Sequence, residues 1–234
     1  MSFEVPADAY VRFMGRYSTP LAGQFAALAG EPTGARVLDV GCGPGMLTEV
    51  LVAEHGEDRV AAIDPAAAFV EATRARFPRA DVRRGPAEAL PWDDDSFGAS
   101  LAQLVVSFMS DPVAGLREMA RVTRPGGRLA FSVTHPTRWM FPDDPTEAGL
   151  LASQSYWDRT PYVEVDDETG ETSYVEHHRT VGDWVRALAA AGYRLVDLVE
   201  PEWPEDHERV WGGWSAVRGR LTPGTAIFAA QLRP

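Results

Sequence analysis

The chain contains no lysine and a single cysteine, Cys42, in 234 residues. Without lysine there is no Schiff-base chemistry and no Gly-Lys-Ser/Thr phosphate loop. The 22 basic residues are all Arg against 34 acidic ones, for a net charge of −12. That balance argues against nucleic acid or an anionic membrane as partner, since both need clustered basic charge. One cysteine forms no intrachain disulfide, which fits a reducing, cytoplasmic setting. No run of about 18 apolar residues exists, so no membrane-spanning helix is expected. The opening residues, MSFEVPADAY, lack a charged n-region and an apolar h-region, so no secretory leader is expected. There is no Ser-His-Asp arrangement and no Cys/His cluster at metal spacing. Three consecutive aspartates, Asp93 to Asp95, read as a solvated turn rather than a metal site.

Against these absences stands Val37-Leu38-Asp39-Val40-Gly41-Cys42-Gly43-Pro44-Gly45. Arg36 to Val40 form the apolar run of an interior parallel strand. Glycines at alternate positions then let the backbone turn sharply and approach a ligand. From Met46 the pattern takes helical period, so the turn opens a helix above a strand end, where α/β sheets bind nucleotides. A dinucleotide fingerprint needs glycine at 41, 43 and 46. Position 46 is Met and the third glycine comes early, at 45, which counts against a nucleotide-dependent oxidoreductase.

A hydrophobic content of 45% and this length fit one domain over 1–234. Ser18 or Thr19 can cap a helix with Pro20 at its first position, placing Leu21, Phe25 and Leu28 on one face. The segment upstream, Tyr10 to Ser18, is dense in aromatic and Arg residues. It reads equally as part of a helical lid over 1–30, with Arg16 near a ligand carboxylate, or as packing on the sheet edge. Arg59 to Ile63 is a second strand ending at Asp64-Pro65, 23 residues after Gly41. Asp64 can accept from both ribose hydroxyls of an adenosine or cap the next helix. Asp81 to Gly85 is a third strand, Phe97 to Val106 a fourth with Gln103 near its end. A helix starts at Asp111-Pro112 with Val113, Leu116 and Ala120 inward. Pro125-Gly126-Gly127 breaks it, and Arg128 to Val133 is the fifth strand. This β-α alternation predicts a doubly wound parallel sheet.

Residues 138–179 interrupt the rhythm with a long irregular stretch, which reads as an insertion covering the site. It contains a strand of a small hairpin, Glu171 to Arg179. Thr180 to Asp183 form a capping box for a helix with Val181, Trp184, Val185 and Leu188 inward. Tyr193 to Val199 and Thr225 to Leu232 are the last two strands. The loop between them carries Trp203, Trp211 and Trp214, as a pocket wall or a cover for the sheet edge.

The glycine turn after V-L-D, Asp64, GPAEALPWDDDSF and LREMARVTRPGGRLAFSV, in this order and spacing, resemble the methyltransferase type 11 family. This is the ubiquinone/menaquinone-methylase-like branch of class I S-adenosylmethionine-dependent methyltransferases. The resemblance extends over nearly the whole chain, which is similar to a subset of bacterial small-molecule enzymes. It implies a Rossmann-like, seven-stranded sheet in the order 3-2-1-4-5-7-6 with strand seven antiparallel. It implies S-adenosyl-L-methionine as cofactor and S-adenosyl-L-homocysteine as product. Asp39, Gly41, Cys42, Gly43 and Gly45 would line its amino-acid end, and Asp64 and Pro65 the ribose. Pro86, Ala87 and Glu88 would lie beside the adenine, Gln103, Leu104 and Val105 near the methionine portion. Tyr10, Met14, Arg16 and Tyr17 would cover it. Pro86 departs from the family, which commonly has Asp or Asn there to meet the adenine amino group. The absence of [DNS]-P-P-[YFW] after strand four disfavours methylation of a nucleic-acid base.

The implied reaction moves a methyl group to a small-molecule acceptor at N, O or C, by in-line displacement that requires alignment and exclusion of water. A base is needed only for a protonated acceptor. The candidates are His135, at the end of strand five, and His177 and His178, of which strand alternation sends one inward. One of these two is expected to face the substrate with Tyr156 or Tyr162, whose other reading is packing of the insertion against the sheet. His135 has a second reading as a loop hydrogen bond before Pro136. A cofactor-binding protein that transfers no methyl group is the non-enzyme alternative.

Overall fold

The computed structural model describes residues 15–28, 34–165, 170, 172–206, 208–210 and 212–234. Its main sheet contains β1 (Val37–Val40), β2 (Val60–Asp64), β3 (Asp81–Arg84), β4 (Phe97–Ala102), β5 (Thr123–Thr134), β8 (Tyr193–Val199) and β9 (Thr225–Leu232). A separate hairpin pairs β6 (Tyr162–Val165) with β7 (Thr172–Glu176). The sheet order is β3-β2-β1-β4-β5-β9-β8, which is the expected order once the hairpin strands are left out of the count. β1 to β5 are parallel, and β9 runs antiparallel to both of its neighbours.

β1, β2 and β4 are buried along their whole length, as strands covered on both faces must be. Side-chain alternation sends residues of one strand into two cores. Ala99 and Leu101 of β4, Ala130 and Ile227 pack with Phe25, Leu47 and Leu51 on one face. Phe97, Leu129, Phe131 and Phe228 pack with Leu116, Met119, Trp184 and Leu188 on the other. Phe131 stacks on Phe228 with ring centres 4.9 Å apart and meets Trp184 edge-on at 5.4 Å. Such rings bury large apolar areas, and here they fix how the late helix sits on the sheet.

The helices are α1 (Arg16–Leu28), α2 (Met46–His55), α3 (Ala67–Arg76), α4 (Pro112–Val122), α5 (Val181–Ala190) and the short α6 (Ala216–Gly219). Asp111 caps α4 by accepting from the Val113 and Ala114 N–H groups, and the Thr180/Asp183 capping box of α5 is present. Four expectations are corrected. α1 begins at Arg16 and runs through Pro20, so Pro20 is not at its first position. β4 stops at Ala102, because Leu104 takes a left-handed backbone with φ +56° that no strand can continue through. β5 begins at Thr123, and the Pro125-Gly126-Gly127 stretch is absorbed as a register shift within it. Val185 points outward, and the α5 contact is made by Trp184 and Leu188.

Candidate functional site

The glycine turn joins β1 to α2 above the carboxyl edge of the sheet. Gly41, Gly43 and Gly45 all have positive φ, at +70°, +53° and +92°. At Gly41 the reason is internal packing. A Cβ there would lie 2.6 Å from Val105 Cγ1, so the turn after β4 closes onto it. At Gly45 a Cβ would stand 3.2 Å from Thr73 Oγ1 and 3.3 Å from Phe77 Cε2. α3 also straps the turn directly: Thr73 donates to the Gly43 carbonyl at 2.9 Å and Arg76 to the Pro44 carbonyl at 2.7 Å. These protein contacts shape the turn before any ligand arrives.

Asp64 ends β2 beside the turn. Its Oδ2 accepts from the Gly43 N–H at 3.0 Å and its Oδ1 from the Ala66 N–H at 2.8 Å. The residue preceding α3 is Ala66, so Asp64 does not cap that helix and instead ties β2 to the glycine turn. Asp39, fully inside, accepts from Thr48 Oγ1 at 2.6 Å. Burial pushes the Asp39 carboxyl up to about 7, with the Asp64 charge adding to the rise. Burial also raises Asp64, against its two backbone hydrogen bonds. Two crowded carboxylates with raised pKa values mark a place where positive charge is unmet. Cys42 is buried beside them, and burial pushes its thiol up, so it is no nucleophile.

Past β4, Gln103 donates through Nε2 to the Ser18 carbonyl of α1 at 2.7 Å, while its Oε1 is buried with no partner. The Leu104 N–H donates to Ser132 Oγ at 2.9 Å. Beyond β3, Ala87 is 9% exposed, and Glu88 turns its carboxylate to the Asp111 N–H at 3.2 Å. The Pro65 carbonyl accepts from Arg84 Nε, and the Pro86 carbonyl from the Ala89 N–H. Tyr10 and Met14 lie outside the described residues, and of Arg16 and Tyr17 only the backbone, in the first turn of α1, is described.

Residues 138–179 reach the same edge just past β4. They are moored by the His177 N–H, which donates to the Ser107 carbonyl at 3.0 Å. His178 is buried and donates from Nε2 to the Tyr156 carbonyl at 2.8 Å, since a carbonyl can only accept. Its Nδ1 therefore carries the lone pair, and it is buried without a partner. Burial lowers the His178 pKa, helped by Arg159 and Arg179, so the ring is neutral at pH 7. His177 is also lowered, first by burial and then by Arg179. The Tyr156 hydroxyl accepts from the Val181 N–H at 3.0 Å, and its ring meets His178 edge-on at 5.9 Å. Trp139 lies beside both His178 and Tyr162, at 6.0 and 5.7 Å between ring centres. His135 is engaged at both nitrogens. Nδ1 accepts from the Thr137 N–H at 3.2 Å, which puts the ring proton on Nε2, facing Glu200 Oε1 at 2.7 Å. The structure thus brings His178 and Tyr156 together, ties His177 by its backbone to Ser107, and sets His135 in a separate loop contact. Of the three loop tryptophans, Trp203 and Trp214 stack on each other at 6.1 Å, and Trp211 lies outside the described residues.

Sequence reasoning missed Thr73, Arg76 and Arg218. Arg218 is 1% exposed and lies by the rings of Phe141 and Trp214, at 5.5 and 5.6 Å. Its Nη2 donates to the carbonyls of Pro142, Asp144 and Gly149, joining the insertion to the tryptophan loop. Nothing in the local sequence marks it, because these partners lie 69 to 76 residues away. Among the described residues, no group of three or more His, Cys, Asp or Glu side chains could hold a metal, and no helix is long and apolar enough to cross a membrane.

Residues 38–131 match the type 11 family described as methyltransferase domain. An uncharacterized methyltransferase of Mycobacterium bovis is 45% identical over 96 residues, covering 41% of this chain and 38% of that one. The match therefore spans less than half of that relative. The trans-aconitate 2-methyltransferase of Methylobacterium radiotolerans is 26% identical over 219 residues, covering 82% of each. A crystal structure of an S-adenosylmethionine-dependent methyltransferase from Mesorhizobium loti shares the fold. Its TM-score is 0.62 at 22% identity, covering 91% of this chain and 99% of that one. Family and fold imply S-adenosylmethionine as cofactor.

The residues of this methyltransferase domain fit that cofactor. Its sulfonium and ammonium are cationic, and a cation beside the turn would relieve the cost that burial imposes on the Asp39 charge. Gln103 Oε1, just past the end of β4, is a buried acceptor without a partner. Asp64 keeps acceptor capacity beyond its two backbone donors, since a carboxylate has about four lone-pair sites.

Proposed function

We propose that this chain transfers a methyl group from S-adenosylmethionine to a small-molecule acceptor. The observation that carries the reading is one carboxyl edge holding two built regions. The glycine turn with Asp64 stands over β1 and β2, and the insertion is moored to Ser107 just beyond β4. Bound there, the cofactor supplies an electrophilic methyl group and its own neutral leaving group. The chain's part is to hold the reactants in line and keep water out. Asp64, the Ala87 N–H and the Gln103 carbonyl oxygen would hold the cofactor, and Trp139, Tyr156 and Tyr162 would wall the acceptor. The acceptor is read as small because the chain is acidic and the cover is aromatic. The relative from Methylobacterium, which aligns over most of the chain, is named for trans-aconitate.

For a protonated acceptor, His178 is the base in this reading. Its Nε2–H is fixed on Tyr156, and its neutral Nδ1 is the nitrogen free to take a proton. An acceptor reaching Nδ1 displaces the side chains that cover it. His135, with both nitrogens engaged, positions the loop that starts the insertion. Calorimetry with S-adenosylmethionine and NAD(P), followed by detection of S-adenosylhomocysteine release across a panel of amines, phenols and carboxylic acids, tests the proposal. Micromolar binding of S-adenosylmethionine with release on at least one acceptor is expected. Binding of NAD(P) alone would overturn it, and cofactor binding with no turnover on any acceptor would make the chain a binding protein.

A further inference from the structure

His178 is buried just past β7, yet its Nδ1 lone pair meets no hydrogen-bond donor among the described residues. A buried acceptor without a donor calls for an explanation, and the O–H or N–H of a ligand is one. The ring is fixed by its other nitrogen. Nε2–H is held on the Tyr156 carbonyl at 2.8 Å, and the Tyr156 hydroxyl is held by the Val181 N–H at 3.0 Å. Aromatic rings stand close by: Tyr156 edge-on at 5.9 Å and Trp139 tilted at 6.0 Å, with Tyr162 5.7 Å from Trp139. Two guanidinium groups complete the surroundings. Arg179 donates to the His178 carbonyl at 2.8 Å, and Arg159 is held on Asp183 at 2.8 and 3.0 Å. Burial first, then the charges of Arg159 and Arg179, keep a further positive charge off the ring, against the Tyr156 carbonyl and Asp183 that favour it. The nearby carboxylates are engaged. Asp183 is shared by Arg159 and Arg186, Asp158 takes the Thr160 N–H, Glu164 takes the Tyr162 hydroxyl, and the buried Glu176 at the end of β7 is also partnered.

Two classes of acceptor can bring a proton to Nδ1, an ammonium and a hydroxyl. The arginines decide between them. An ammonium adds a third positive charge beside them, whereas a hydroxyl enters neutral and turns negative as it gives up its proton. The base then selects among hydroxyls. Proton transfer is most efficient between groups of similar pKa, and an imidazole held below about 6.5 is far closer to a phenol, at about 10, than to an aliphatic alcohol. We infer that the methyl acceptor is a phenolic hydroxyl, docked with its O–H on His178 Nδ1 among the rings of Trp139 and Tyr156. The inference rests on the methyl-transfer reading above. The O–H proton passes to Nδ1, and the oxygen takes the methyl group with its own electron pair. The pair of the broken carbon–sulfur bond stays on sulfur. The products are an aryl methyl ether, neutral S-adenosylhomocysteine and an imidazolium that returns its proton to solvent.

4-Nitrophenol tests the site without turnover, because its ionised form is yellow. The bound dye is expected to ionise about one pH unit lower than the free dye, roughly a tenfold gain in its ionisation constant. The shift should vanish in His178→Gln and shrink in Arg179→Gln, which leaves the imidazole in place. No binding, binding without a shift, or a shift that survives His178→Gln overturns the inference. A turnover assay with S-adenosylmethionine then sets 4-methylphenol against benzylamine. Release of S-adenosylhomocysteine at least about tenfold faster with 4-methylphenol is expected. Faster release with benzylamine overturns the inference and leaves methyl transfer standing. A shifted dye with no release from any acceptor of the panel above overturns the transfer reading instead, and leaves the hydroxyl site standing.

Discussion

Over β1, β2 and β3 the carboxyl edge is finished by turns of a few residues, each locked by the element next to it. Gly41 is closed on by Val105, Gly43 is held by Asp64 and Thr73, and Arg76 grips Pro44. Over β5, β9 and β8 the edge is covered by long irregular segments, held by side chains that reach across the sequence. Arg218 meets carbonyls of Pro142, Asp144 and Gly149, Asp143 accepts from the Gly213 N–H, and His135 faces Glu200. Arg159 binds Asp183 through two nitrogens, at 2.8 and 3.0 Å, and so anchors the insertion to the start of α5. The first region is a fixed cradle of short backbone turns, locked by side chains of the neighbouring elements. The second is an assembly of side-chain pins, whose chemistry can change without changing the sheet. A constant cofactor and a variable acceptor call for that division.

Five substitutions break or sharpen this contrast, in falling order of expected effect. The first, Gly41→Ala, strikes the cradle's packing. A left-handed alanine costs about 1–2 kcal/mol, and overlap with Val105 about 1–3 kcal/mol more. Thermal unfolding should fall by many degrees, and Val105→Ala in the same chain should restore part of it; full stability of the single variant would refute the packing account. His178→Gln is expected to lower kcat about a hundredfold for a protonated acceptor, with KM little changed. The acidic limb of the wild-type profile should lie below the ordinary imidazole value of about 6.5, because burial lowers His178, and it should vanish in the variant. An unshifted profile removes His178 from the chemistry.

Arg218→Met leaves carbonyls of Pro142, Asp144 and Gly149 without their donor. A loss of about 2–3 kcal/mol in unfolding free energy is expected, with cofactor affinity unchanged. If affinity fell in parallel, the two regions would not be separable. Asp64→Ala should weaken cofactor binding by at least about tenfold in calorimetry, from the lost ribose contacts and the freed Gly43 N–H. Unchanged affinity would refute its placement. Asp39→Asn is the subtlest. The folded chain holds this proton up to about 7 whereas the ordinary value is 3.8, so the folded state binds more protons across that window. The contribution of Asp39 to stability therefore falls as pH rises from 3.8 to about 7 and stays low above it. The variant should lack that slope in unfolding titrations, and an identical slope would show that Asp39 keeps its ordinary pKa.

The cradle was legible in the sequence because its signals are local. A buried strand, a glycine turn and a helix follow one another within residues 37–55, and Asp64 closes the next strand. The strand-to-turn boundary after β4 was misread, because Leu104 carries no local mark of its left-handed backbone. The reading of Val185 as inward failed because helical period gives a broad face, and packing on the sheet buries only its Trp184 and Leu188 side. Among the histidines, sequence position left His135, His177 and His178 as candidates, whereas hydrogen bonds left the lone pair free on His178. That difference depends on Thr137, Glu200 and Tyr156, whose contacts no spacing rule encodes.

By itself the sequence determined the alternation of strands and helices, the glycine turn and the acidic residue beside it. Apolar period and glycine placement act over a few residues, so they survive being read along a line. The tertiary structure decided which glycines answer to protein rather than ligand, which histidine keeps a lone pair, and which arginine is buried. Those outcomes rest on contacts between groups as far as 76 residues apart, and such contacts exist only once burial has brought the segments together.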